Sequence, residues 1–150
     1  MEYTFEGIKT SPLKRASESA KILAKELDLP IRECIYVKER NTYGILCGVS
    51  KDDAKVEYPE LVDAYKKNDE YVLGSEREED INKRTKIALQ KIREYGHENI
   101  IVVTHGNFLK AFMQTILNKK LTKKEDGGMI LIEFTPKGKE VLIQDGIEIE

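Results

Sequence analysis

The segment VVTHGNFLKAF, residues 102–112, puts a histidine where chemistry is expected. An apolar strand runs to Thr104, His105 and Gly106 occupy the turn, and a helix begins at about Asn107 or Phe108. Ligands of α/β sheets collect at the carboxyl ends of strands. Free N–H groups and the macrodipole make helix starts favourable to anions. His105 is therefore placed to touch a phosphate. The same pattern also suits a histidine hydrogen-bonded within its own turn. The segment TSPLKRASESA, residues 10–20, repeats the passage from strand end to helix and carries Arg15 one turn beyond Ser11. Its planar guanidinium matches phosphate oxygens. An arginine on such a helix also suits a purely solvated role.

The elements that must position these residues alternate between short apolar runs and longer amphipathic ones, which is the pattern of an α/β domain. Tyr3 to Lys9 reads as a strand. Ser11 suits an N-cap and Pro12 the first helical position. Leu13, Ala16, Ala20, Leu23, Ala24 and Leu27 follow at helical spacing until Asp28 to Pro30 stops the helix. Ile31 to Val37 is a second strand, and residues 39–50 are a loop. Pro59 to Lys67 suits a short helix, and Glu76 to Tyr95 a long one that buries Ile81, Thr85, Ala88, Ile92 and Tyr95. Gly96 stops it. Asn99 to Thr104 reads as a strand buried on both faces. A helix from Phe108 to Leu117 follows. Gly127 and Gly128 open a strand, Met129 to Phe134, which pairs as a hairpin with Glu140 to Gln144. The tail, GIEIE, alternates in period two and suits a further short strand.

Together the motifs resemble the histidine phosphatase superfamily, which includes the cofactor-dependent phosphoglycerate mutases. SPLKRA is similar to that family's Ser-Pro-(Leu)-x-Arg-Ala motif, and VTHGN to its second His-Gly motif. KERNTYGILCG, residues 38–48, resembles the Glu-Arg-x-Tyr-Gly-x-x-x-Gly loop of the mutase branch, with one extra residue before Tyr43-Gly44. Gly74-Ser75-Glu76 followed by Arg84 resembles a Gly-Glu-Ser…Arg segment with Glu and Ser transposed. The matches fall in the family's order.

The resemblance implies a three-layer α/β/α domain with a mostly parallel sheet, formed by residues 1–150 as one unit. It implies that Arg15 holds the transferring phosphoryl group and that His105 stabilises its developing charge. Glu39 would be the acid that protonates the leaving oxygen and then the base that activates water. Ser11 and Asn107 would support or contact the phosphate, and Arg40 and Tyr43 the rest of the substrate. It implies no metal and no cofactor. The short 49–75 segment leaves little room for the large insertion of true mutases, which favours a small-molecule phosphatase.

The family's defining Arg-His-Gly motif, whose histidine becomes phosphohistidine, precedes the Ser-Pro segment. Only ten residues precede Ser11 here, and none is His. The expectation is a chain short by the first strand and helix. His97 is not a substitute: the stretch from His97 to His105 is mostly extended and spans about 25 Å. The absent strand would be internal, between strands 99–104 and 129–134. The sheet could close directly, the tail could insert, a second chain could pair there, including another copy in a homo-oligomer, or the chain could be a truncated version of a longer active protein. The expected function is therefore a phosphatase or mutase lacking its own nucleophile. The alternative is a non-catalytic relative that binds a phosphometabolite or a protein partner.

Composition bounds these readings. The chain has 150 residues, with 25 Lys plus Arg against 27 Asp plus Glu and a formal charge of −2. That balance argues against a nucleic-acid binder relying on bulk positive charge. A chain of this length buries roughly 70% of its unfolded surface and can form a core unaided. Cys34 and Cys47 form no CxxC pair, so neither a disulfide scaffold nor a zinc site is expected, and a reducing cytosol is the expected location. No apolar run approaches the ~18 residues of a membrane span, and the N-terminus does not resemble a signal peptide.

Overall fold

The structure is a computed structural model that describes residues 2–66 and 73–150. These residues form two compact units, one of residues up to Glu39 together with Asn82–Glu150, the other Arg40–Ile81.

The first unit is built on a three-stranded parallel sheet, and the fold is α/β. β1 (Gly7–Thr10) lies in the middle, with β2 (Ile31–Glu33) on one side and β3 (Ile100–Val103) on the other. Ile8 pairs with Ile31 and with Ile101 and is wholly buried. β1 is shorter and later than the strand expected at Tyr3 to Lys9, because residues before Gly7 run without ladder partners in β2. β2 stops at Glu33, and Ile35–Val37 turn into a 3₁₀ helix that buries Val37. The helix α1 (Lys14–Leu27) packs on the sheet through Ala16, Ser17 and Ala20. Its first residue is two positions later than the expected Pro12. Ser11 does not cap it; its Oγ accepts the N–H of Leu13 at 3.2 Å, and Leu13 is the N-cap. Asp28 ends α1 in the left-handed region (φ 52°), with its N–H bonded to Ala24 O, so the chain has already left the helix at Pro30.

α4 (Glu78–Glu94) is the long helix the periodicity predicts, and Ile81, Thr85 and Ala88 along it are fully buried. Ile92 and Tyr95 are only half-buried. β3 corrects an expectation. All four of its aliphatic residues are half-buried rather than buried. The reason is topological: β3 pairs with β1 alone, so among the described residues its second edge carries no strand. α5 (Gly106–Phe112) follows and runs on into one π turn, Met113–Leu117.

β4 (Leu121–Thr135) and β5 (Gly138–Ile149) form a separate antiparallel sheet. The hairpin turn falls where the sequence places it. The strands are longer than expected, because Gly127 and Gly128 interrupt the ladder between Lys124 and Met129 without ending it. The tail does not insert beside β3. It continues β5, with Ile147 opposite Lys124 and Ile149 opposite Leu121. The hairpin does not close onto β3 either. The core of this unit joins Cys34, Val37, Ala88, Phe108, Phe112, Met113, Leu121 and Ile147.

The second unit holds a 3₁₀ turn at Gly44–Leu46, α2 (Lys51–Glu57) and α3 (Pro59–Lys66). Lys67, the expected last residue of α3, lies outside the described residues. The sequence reading missed α2, whose start is fixed by Ser50 Oγ accepting the N–H of Asp53 at 3.1 Å. Leu46 and Ala54 form its small core with Val49, Leu61 and Val62. Cys34 is buried and Cys47 exposed, and both are free thiols. Among the described residues no helix is long and apolar enough to cross a membrane.

Candidate active site

The carboxyl ends of β1 and β3 are adjacent in a parallel sheet, so the residues that leave them meet. β1 delivers Ser11 and, at the second residue of α1, Arg15. β3 delivers Thr104 and His105. The result is a 2.7 Å hydrogen bond between His105 Nε2 and Ser11 Oγ, both residues being buried. Ser11 thus serves two partners, since its oxygen also accepts from Leu13. Arg15 is exposed, and among the described residues its guanidinium makes no hydrogen bond or ion pair.

Burial lowers the His105 pKa from its ordinary value of 6.5; Arg15 and Arg84 push it the same way, and Glu39 opposes them. Arg15 and Glu39 therefore both act electrostatically on this imidazole. Unfolded His105 titrates near 6.5, whereas the folded ring resists protonation. As pH falls below that value the unfolded chain binds the extra proton, and stability declines until the folded pKa is reached. The wild-type melting temperature is expected to fall more between pH 7 and 5 than that of His105→Gln. Equal falls in both proteins would contradict this placement.

Glu39 is reached through three hydrogen bonds on the segment before it. Thr104 Oγ1 donates to Val37 O at 2.6 Å, and Arg84 Nη1 donates to Tyr36 O and Lys38 O at 2.8 and 2.7 Å. Arg84 also lies over the Phe108 ring, 5.2 Å from its centroid. Held this way, the Glu39 carboxylate accepts the N–H groups of Asn107 (3.3 Å) and Phe108 (3.0 Å). It caps α5 from a distant part of the chain, because the N-cap residue, His105, turns its ring to Ser11 instead. This corrects the expectation of helix N–H groups open to phosphate: Glu39 occupies two of them. Asn107 contributes a backbone N–H to Glu39, and its side-chain amide makes no hydrogen bond among the described residues.

Arg40 and Tyr43 belong to the 40–81 unit. There Arg40 Nε donates to Glu76 O at 3.3 Å, and Tyr43 precedes the 3₁₀ turn and is 49% exposed. His97 lies in the connection before β3, as expected, with its ring edge-on to Tyr95 and its Nδ1 3.9 Å from the Glu6 carboxylate. Two clefts of about 350 Å³ lie elsewhere, one around Lys9, Arg32 and Tyr95, the other around Leu117, Lys139 and Ile149; neither includes Ser11, Arg15 or His105. Of the three residues Ser11 and His105 are buried and Arg15 is exposed.

The sequence reading assigned no role to Thr104 or Arg84. Arg84 was visible as part of a motif, but its partners are carbonyls 46 and 48 residues away.

Comparison with known proteins supplies the wider context. The chain is 30% identical over 116 residues to the uncharacterized phosphatase PhoE of Bacillus subtilis, covering 77% of this chain and 55% of that protein. It is 31% identical over 130 residues to a metal-independent phosphoserine phosphatase of Arabidopsis thaliana, covering 83% of this chain and 52% of the relative. The chain thus spans about half the length of these curated relatives. Its fold matches YhfR of Bacillus stearothermophilus with a TM-score of 0.73 at 22% identity, covering 93% of this chain and 73% of that one. It matches a putative α-ribazole-5′-P phosphatase of Escherichia coli with a TM-score of 0.76 at 17% identity, covering 95% and 74%. The sequence pattern of one family runs through residues 1–143, from β1 to within β5 and across every element that builds the cluster. The chain belongs to the histidine phosphatase superfamily, branch 1.

Proposed function

We propose that this chain binds the phosphoryl group of a phosphorylated small molecule at Arg15 and His105 and carries the acid–base half of a histidine phosphatase reaction. The observation that supports this best is the Ser11–His105 hydrogen bond, which joins two family motifs 94 residues apart, with Arg15 unpartnered among the described residues. In the reaction a histidine nitrogen bonds to phosphorus as the ester P–O bond breaks, Glu39 gives its proton to the departing oxygen, and water then releases phosphate. The Glu39 carboxylate on the N–H groups of Asn107 and Phe108, with its charge acting on His105, supports that role. Arg40 and Tyr43 take the family's substrate-contact role. His97 precedes β3 and does not supply the nucleophile. In this reading the nucleophilic histidine arrives on a strand that pairs with the open edge of β3, from a longer form of the protein or a second chain.

A second reading is a non-catalytic binder of a phosphometabolite or a protein partner. It is favoured by the two backbone hydrogen bonds on Glu39, which make that carboxylate a helix cap as it stands.

The test is turnover of an aryl phosphate at mildly acidic pH by the 150-residue chain, beside His105→Ala. Phosphate binding without turnover is the expected result. Turnover that His105→Ala abolishes would overturn the claim that the nucleophile comes from elsewhere. Absence of any phosphate binding would overturn the site itself.

A further inference from the structure

Lys124, on β4, lies across Gly106, the residue that follows His105. A Cβ built at Gly106 would overlap the Nζ, Cδ and Cε atoms of Lys124. The end of the lysine side chain therefore lies over the start of α5, where a side chain at position 106 would displace it. The register separates Lys124 from the lysine beside it. Lys123 faces Glu148 and is bound to Glu125 and Glu148 at 2.9 and 3.4 Å. Lys124 faces Ile147, and among the described residues its ammonium makes no hydrogen bond or ion pair. Strand alternation explains the difference, since successive side chains point to opposite faces of the hairpin.

An ammonium lying over Gly106, with no carboxylate bound to it among the described residues, is a cation available to an external anion. Arg15, whose charge acts on the His105 imidazole, likewise makes no hydrogen bond or ion pair among the described residues. A phosphate monoester presents three terminal oxygens: a guanidinium fork engages two of them, and a point-charge ammonium suits the third. We infer that Lys124 is a further cationic ligand of the phosphoryl group bound at Arg15 and His105. The inference rests on the phosphate reading of that site.

The experiment measures inorganic phosphate affinity of the full chain by calorimetry at several salt concentrations. The proteins are wild type, Lys124→Gln, Lys124→Arg, Lys123→Gln, Gly106→Ala and Arg15→Ala. Lys124→Gln is expected to weaken binding about 10-fold and to flatten its salt dependence. Lys124→Arg should restore most of the loss, and Lys123→Gln should bind like wild type. Gly106→Ala keeps the charge but displaces the stem, and should weaken binding as well. If Arg15→Ala loses phosphate while Lys124→Gln and Gly106→Ala bind within twofold of wild type, Lys124 is packing only and the phosphate site stands. If wild type itself binds no phosphate, both the inference and the site reading fail.

Discussion

Arg15→Ala is expected to weaken phosphate binding about 100-fold or more while leaving the melting temperature essentially unchanged. The two halves of that expectation come from different observations. Arg15 is exposed, and no described side chain depends on it, so its removal leaves no buried group unsatisfied. Surface substitutions of that kind usually stay within about 0.5 kcal/mol. Towards an anion the guanidinium offers two parallel charge-assisted hydrogen bonds, each about 1.5–3 kcal/mol. Losing both costs two decades of affinity or more. Titration calorimetry and thermal unfolding on one preparation check both. A large loss of stability with little loss of binding would mean that Arg15 is a scaffold residue.

The largest effect on the scaffold is expected at Ile8. It is fully buried at the centre of β1, between Ile31 and Ile101. Truncating a buried isoleucine to alanine costs about 2–5 kcal/mol, through lost transfer energy and a residual cavity. For a chain of this size that is a drop of roughly 5–15 °C in melting temperature. Ile22, 65% exposed on α1, is the contrast; Ile22→Ala should leave the transition nearly where it is. β1 leads directly into Thr10 and Ser11, so Ile8→Ala should also loosen the Ser11–His105 contact. Equal effects of the two substitutions would contradict the placement of β1 at the centre of the sheet.

Residues with a local signature were legible from the sequence. The apolar spacing of α1 and α4, the turn at Thr135 to Gly138, and the strand-end positions of Arg15 and His105 each depend on neighbours within a few residues. What was missed depends on distant partners. Four consecutive aliphatic residues announce β3 but say nothing of how many strands flank it, and with one strand partner among the described residues they stay half-buried. The polar sequence of α2 buries only Ala54, too little for a periodic signal. Ser11 has the right type for a helix cap, but its hydroxyl is used by Leu13 and His105. Glu39 resembles many acids in a polar loop, and only the tertiary fold brings it to the N–H groups of Asn107 and Phe108, 68 and 69 residues on. Lys124 had no local mark at all; its position became visible only against Gly106.

The central claim is that Arg15 and His105 form one anion site, and the histidine count makes it directly measurable. The chain has two histidines, and His97 lies before β3 whereas His105 follows it. Titrating inorganic phosphate while recording the two imidazole resonances by NMR separates them. The account predicts that the His105 signals move and saturate, that His97 stays still, and that Arg15→Ala abolishes the movement. His105 signals that do not respond, or that respond equally with Arg15 removed, would contradict it.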